Sequence, residues 1–288
     1  MPCDFFQRLN RTNGDRPFQQ PAHTKRAVGI LLNEWRAARG LSQLALACDA
    51  DISPRHLSFV ETGRAQPSRE MVLTLADTLD VPLREQNALL IAAGYPSAFS
   101  ESDYDSPEMS DIRSVVDLML SANEPFCAAA IDRHWNILSA NKTYWAMTGG
   151  EPDPAIAKPN LLTRMFAPGG FRDLVVNWDD VAYPMVQRLH REAIAELSRN
   201  ETSTRDLLDE LMQTYDLPPQ WKVIDIGAQQ PPLVPVILEI GDKTIHLVTT
   251  ITTLGTAQDV TLQEIRIESF LPADQESRDN WIALIGDA

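Results

Sequence analysis

The chain has 288 residues, 44% of them apolar, a formal net charge of −15 and three cysteines. That is enough for one large domain or two ordinary ones, and the apolar runs are too short to span a bilayer. Cys3, Cys48 and Cys127 are scattered and odd in number, which argues against a disulfide framework or a cysteine zinc site and fits a reducing cytoplasm.

The N-terminal stretch MPCDFFQRLNRTNGDRPFQQP lacks the apolar centre of a secretory signal, and residues 1–24 read as a flexible arm. From Lys25 the pattern turns helical. Ala27, Ile30, Leu31 and Trp35 form an apolar stripe that Gly40 ends. Ser42 caps a second helix, QLALACD, with Leu44, Ala45 and Ala47 expected inward. Ser53 caps a third, with Pro54 in its first turn and Gly63 at its end. Pro67-Ser68 opens a fourth, with Met71, Val72, Leu75, Ala76 and Leu79 inward, and Pro82 opens a fifth that runs to Gly94. Residues 25–95 thus predict a five-helix all-α head.

Residues 96–122 read as an acidic, Pro-containing linker and a connecting helix. Ser110 is its expected cap, and Ile112, Val115, Val116 and Met119 its inner side. A second domain follows over 123–275, with 276–288 as a tail. FCAAAID and NILSA predict two strands joined by DRHW, and Asn141 opens the helix KTYWAM. NLLTRMFAPGGF is undecided. Residues 178–199 predict an amphipathic helix that Pro184 can kink, and about 204–215 another. PVILEI, TIHLVTTITTL and LQEIRIESFL alternate with period two and predict an antiparallel sheet. The fold class expected is multidomain, α followed by α+β.

Charge divides the chain in the same place. Residues 1–100 hold 11 Lys and Arg against 10 Asp and Glu, and the rest holds 14 against 30. Only the first third can approach a polyanion without strong repulsion. Within it, ISPRHLSFVETGR (52–64) keeps a narrow apolar edge at Ile52, Leu57 and Val60 and dresses the rest with polar groups. A short polar-faced helix after a capped helix and a tight turn is a helix-turn-helix pattern, and a major groove admits one such helix. Ser53, Pro54, Arg55 and His56 lie at its start, where base edges are read, with Ser58 and Phe59 one turn on. Arg55 suits guanine O6 and N7, and His56 an edge or a phosphate. Phe59 suits a thymine methyl or packs on a neighbour. Gln43 binds a phosphate or anchors a base-reading residue, while Arg36, Arg39 and Arg64 suit flanking phosphates.

GLSQLALACDADISPRHLSFVETGRAQPS resembles the helix-turn-helix of the XRE/Cro/C1 repressors, through its L-S-Q, L-A, I-S, E-x-G and P-S. The resemblance implies a lambda-repressor-like head and an internal ion pair between Arg36 and Glu61, so that Arg36 braces the fold. Asp51 stands where that turn usually has Gly, and Asp tolerates a left-handed backbone better than most residues. The order of SPRHLSFVETGRAQPSREM, AIDRHWNILSANKT and NWDDVAYPMVQRLHREA is similar to the MmyB-like regulators. That implies a PAS-like second domain around a small apolar ligand such as a fatty acid. It also implies a homodimer on a double-stranded DNA operator, acting as a repressor.

For the cavity wall the sequence offers aromatic Phe126, Trp135, Tyr144, Trp145, Phe166 and Trp178, aliphatic Ile131, Met147, Leu161, Leu162, Met165, Met185 and Leu189, and Ile251 and Leu254 on a strand. Taken singly, each is better read as ordinary core, because core outnumbers pocket in most domains. Asn160 and Arg164 are the polar candidates for a ligand carboxylate, with an Arg164 pairing to Asp173 or Asp179 as the alternative. His134, His190 and His246 lack metal-ligand spacing, and no G-x-S-x-G, H-E-x-x-H or phosphate loop is present. No metal, cofactor or catalytic residue is expected. A dimerising scaffold, or an enzyme with a DNA-binding head, are the other readings.

Overall fold

The computed structural model describes residues 22–153, 158–197, 202–225 and 235–286, so the expected arm over 1–21 lies outside the described residues. The chain forms two compact units. One runs to Ser100 and includes Gln258–Val260; the other takes Glu101–Ala257 and Thr261–Ala288.

The described residues of the first unit form five helices: α1 Ala22–Ala38, α2 Gln43–Asp49, α3 Pro54–Glu61, α4 Arg69–Thr78 and α5 Leu83–Ala92. Ser42, Ser53 and Ser68 each accept a backbone N–H three residues on, as capping requires. Asp51 takes the left-handed backbone, φ 53°, between α2 and α3. Two inward faces differ from the expected ones. On α1 the buried residues are Val28 and Leu32, and Ile30 is 48% exposed, because Gly29 seats the helix directly on the end of α3. On α2 Leu46 and Ala47 are buried, and Leu44 is 61% exposed. The head also runs further than residue 95: Asn87 Oδ1 accepts from the backbone N–H of Ala98 and Phe99 and holds that segment to α5.

The second unit opens with a 3-10 turn, Pro107–Met109, and α6 Ser110–Ala122, whose N-cap is Met109 rather than Ser110. Residues 101–109 are more than a linker, since Tyr104 and Met109 are buried. Then come β1 Ala128–Ile131, β2 Ile137–Ala140, α7 Lys142–Met147, α8 Leu161–Phe166 and α9 Phe171–Leu174. The long α10 Trp178–Leu197 continues through Pro184, and α11 Ser203–Thr214 follows. The chain closes with β3 Pro235–Ile240, β4 Lys243–Thr253, α12 Val260–Glu264, β5 Arg266–Pro272 and α13 Gln275–Gly286. The LQE expected to begin the last strand is therefore helical.

Among the described residues five strands are antiparallel neighbours in the order β2-β1-β5-β4-β3. Alternation along β1 and β5 divides the sheet's two faces. Cys127, Ala129 and Phe270 belong to the large core under α7, α8 and α10, while Ala128, Ala130 and Ile267 pack against Val116 and Leu120 of α6. On α6, Val115 is thus outward and Leu120 inward. The expected tail is α13: Trp281 is fully buried and its Nε1 donates to Pro125 O at 2.7 Å. The apolar residues of this helix are bunched as WIALI at its end instead of being spaced along one side, and the weak stripe hid it.

Gly29 sets the closest helix approach in the head. A Cβ there would lie 2.4 Å from Val60 O and 2.7 Å from Glu61 O. Gly29→Ala must push α1 off α3, so it should destabilise by about 1–3 kcal/mol despite alanine's better helix propensity. Chemical denaturation checks this; a variant as stable as wild type would refute it.

Candidate functional site

At the centre of the first unit is one carboxylate. Glu61 ends α3 with its side chain 1% exposed. It accepts from Arg36 Nε at 2.7 Å and Nη2 at 2.9 Å, from Asn33 Nδ2 at 2.9 Å and from Gln43 Nε2 at 2.8 Å. Burial pushes this carboxyl up, but the hydrogen bonds from Arg36, Gln43 and Asn33, with the charge of Arg36, outweigh it and hold the group below the usual glutamate range. The pair implied for Arg36 and Glu61 is present. Gln43 joins it, and Asn33 is a fourth member the sequence did not suggest. Two of the donors lie on α1 and one on α2, so the group ties three helices together.

Fixing Glu61, Leu57 and Val60 inward turns the opposite side of α3 outward. Pro54 and Arg55 are exposed; His56, Ser58 and Phe59 are half-buried. The Arg55 guanidinium lies 5.4 Å from the centre of the Phe59 ring, and that of Arg64 lies 6.0 Å from the same ring. Ser53 is spent on capping, accepting from His56 N at 3.1 Å. Arg39 stands apart: its Nε and Nη2 donate to the carbonyls of Leu79 and Asp80 after α4. It serves the fold there rather than joining the Arg55–Phe59–Arg64 group.

The second unit holds a narrow apolar cavity beneath α7 and α8. Tyr144, Met147, Leu161, Arg164 and Met165 line it from the helices, Cys127, Leu247 and Phe270 from the sheet side, and Phe171 and Trp281 close it. About 30 Å³ is open to the centre of a water-sized sphere, room for about one water. Arg164 is the one charged residue of the wall among the described residues. Its Nη2 donates to the carbonyls of Thr148 and Gly150, and its guanidinium stacks 5.4 Å from the Trp145 ring. Its Nε is buried with no hydrogen-bond partner among the described residues. Burial pushes the Cys127 thiol up to about 12 and the Tyr144 phenol higher still, so both stay neutral.

Of the expected wall, Tyr144, Met147, Leu161, Met165 and Arg164 are brought together here. Asn160 instead caps α8 and donates to His134 O at 2.9 Å. Trp135 is locked between Arg188, 4.7 Å, and Arg266, 5.1 Å, with Nε1 donating to Glu192. Phe166 packs edge-on to Trp178 at 5.0 Å, and Phe126 tilts against Trp281. Met185 and Leu189 are core residues on α10. Ile251 is exposed where β4 runs past its pairing with β3. Cys127, Phe171, Leu247, Phe270 and Trp281 were missed; strand alternation identifies Leu247 and Phe270 only once the register is known. His134, which has no partner in metal-ligand spacing along the sequence, has its Nδ1 3.3 Å from Glu196 Oε1, sixty-two residues away. Among the described residues no cluster of His, Cys, Asp and Glu suits a metal ion, and no helix is long and apolar enough to cross a membrane.

A family model for the MmyB-like transcription regulator ligand binding domain matches residues 112–281, and a helix-turn-helix model matches residues 32–86. Among solved structures, the clp gene regulator ClgR from C. glutamicum is 29% identical, with 26% of this chain and 92% of that one covered and a TM-score of 0.23. The restriction-modification controller protein C.AhdI from Aeromonas hydrophila is 35% identical over 22% of this chain and 94% of that one, with a TM-score of 0.21. No curated protein matches the chain.

Glu61→Ala strands four hydrogen-bond donors on three half-buried side chains and should cost about 3–5 kcal/mol, read from amide exchange across α1–α3. Because the folded carboxyl titrates below its unfolded value, its stabilisation is complete at neutral pH and is lost as pH falls below about 4. Glu61→Gln should flatten that acid limb; an unchanged limb would assign it to other groups.

Proposed function

The chain belongs to the MmyB-like transcription regulators, whose ligand-binding domain accounts for more than half its length, and from that premise we propose a division of labour between its two units. The head reads a double-stranded operator with the outward side of α3. The second unit senses a small, largely apolar ligand, such as a fatty acid, in the cavity under α7 and α8. The working form is a homodimer that represses when ligand-free, and the chain acts by binding, not by catalysis.

What carries the DNA reading is the Arg55–Phe59–Arg64 group. Two guanidinium groups flank one half-buried ring, Arg55 from the first turn of α3 and Arg64 from just beyond its end. The ring holds Arg55 near one geometry, so less side-chain freedom is lost when it forks onto a guanine. Arg64 suits a phosphate. The head supplies the neutral-to-basic surface that the acidic remainder cannot. A dimer would place two copies about one helical turn of DNA apart.

For the ligand, the unpartnered Nε of Arg164 in an otherwise apolar wall is the supporting observation. A carboxylate there would gain a charge-assisted bond. It would also compete for the guanidinium that holds Thr148 and Gly150. An acyl chain needs more than the space now open; Met147 and Met165, unbranched and flexible, are the side chains that can yield. Strands β1 and β5 carry the cavity on one face and α6 on the other, which gives ligand entry a short path to the helix preceding the domain. The tightness of the cavity also favours a second reading, in which this unit only dimerises the head.

Three outcomes are expected. Arg55→Ala should erase the preference for a duplex from the protein's own upstream region over a scrambled one, measured by fluorescence anisotropy, and retained preference would remove the assigned contact. Binding should weaken steeply with salt as phosphates are neutralised, and a flat salt response would count against a groove-bound head. Dodecanoic acid should bind the full chain in calorimetric titration, and Arg164→Leu should weaken it about tenfold or more. No heat with wild type would favour the dimerising scaffold.

A further inference from the structure

Glu268 lies on β5, two residues from Phe270, so its side chain points to the same face of the sheet. Phe270 lines the cavity. Directly across the ladder from Glu268 is Ala129, which belongs to the core on that face, whereas the flanking Ala128, Ala130 and Ile267 belong to the other. Glu268 is 1% exposed, and its Oε2 has no hydrogen-bond partner among the described residues. An acidic group in this position is costly to bury and leaves the fold less stable than a leucine would. The charges of Arg164 and Glu268 both act on the Tyr144 phenol, which puts cavity wall and buried carboxyl in one electrostatic neighbourhood.

We infer that Glu268 is a ligand-recognition residue of this cavity, and that the ligand carries a hydroxyl group in addition to its apolar chain. This rests on the proposed reading of the cavity as an acyl-ligand site and adds a polar specificity to it. The neighbouring charges are Arg188 and Glu192 of α10, and Arg266 on β5 reaches Glu192 as well. Burial first, then Glu192, push the Glu268 carboxyl up against the pull of Arg188, to about 7. It therefore samples both protonation states near neutral pH. A hydroxyl serves both, donating to the carboxylate and accepting from the acid. An ammonium serves only the first and a ketone only the second.

The test titrates the full chain with dodecanoic, 3-hydroxydodecanoic and 12-hydroxydodecanoic acids, for wild type and Glu268→Leu. At least one hydroxy acid should bind wild type about tenfold more tightly than dodecanoic acid, and the variant should lose that preference while keeping dodecanoic acid. The ligand-free variant should also melt at a higher temperature than wild type, since an unsatisfied buried acid has been removed. Equal binding of all three acids by wild type overturns this inference and leaves the acyl site standing. So does a preference that survives in the variant, or a variant that melts lower, which would make Glu268 a structural residue. If none of the three acids binds wild type, the acyl site and this inference fall together.

Discussion

A buried carboxylate with four hydrogen bonds governs the orientation of everything that matters in the head. Glu61 draws Arg36 and Asn33 of α1 and Gln43 of α2 to one point. Bidentate Arg–carboxylate geometry fixes angle as well as distance. With α1 and α2 tied to the C-terminal end of α3, rotation of α3 about its axis is blocked. Its polar side, with Arg55 and Phe59, is outward by exclusion. Gly29 is the steric counterpart of that bond network: only a residue with no side chain allows α1 to come close enough for Asn33 and Arg36 to reach Glu61.

In the second unit the corresponding constraint is the two-faced sheet. A side-chain period of two means that neighbouring residues on β1 and β5 serve opposite layers, one facing the cavity and the next facing α6. A change of shape on one face has little room to be absorbed, because both layers are close-packed. Around the sheet's inner face polar groups are concentrated rather than scattered. Trp135 sits at positive φ between two arginines, and Glu196 is buried against Thr204 and His134. These groups brace α10 and α11 on the sheet, and among the described residues Arg164 and Glu268 are left as buried polar side chains with unpartnered atoms near the cavity.

Much of this was legible in the residue order. Caps at Ser42, Ser53, Ser68 and Asn141 announced four helices, because a capping side chain acts within three residues of itself. The strands followed from alternation, and the left-handed turn at Asp51 from the place a glycine would usually take. What failed has a common cause, which is dependence on partners far along the chain. The phase of α1 was set by Gly29 meeting α3, not by its own apolar spacing. Trp135 and Phe166 looked like wall but satisfy arginine and aromatic partners from α10 and β5. Trp281 looked like part of a tail and closes the cavity. Asn160 looked like a ligand group because a cap and a ligand donor are the same residue type.

The account stands on α3 entering a DNA groove with Phe59 inside it. Replacing Phe59 by a photoreactive benzoylphenylalanine in the full chain, and irradiating it with a duplex from its upstream region, tests this at one residue. The account predicts a covalent protein–DNA adduct from position 59 and none from the same replacement at Glu34, which is exposed on α1. An adduct from position 34 with none from position 59, at a concentration where the duplex is bound, would show that another surface of the head holds the DNA.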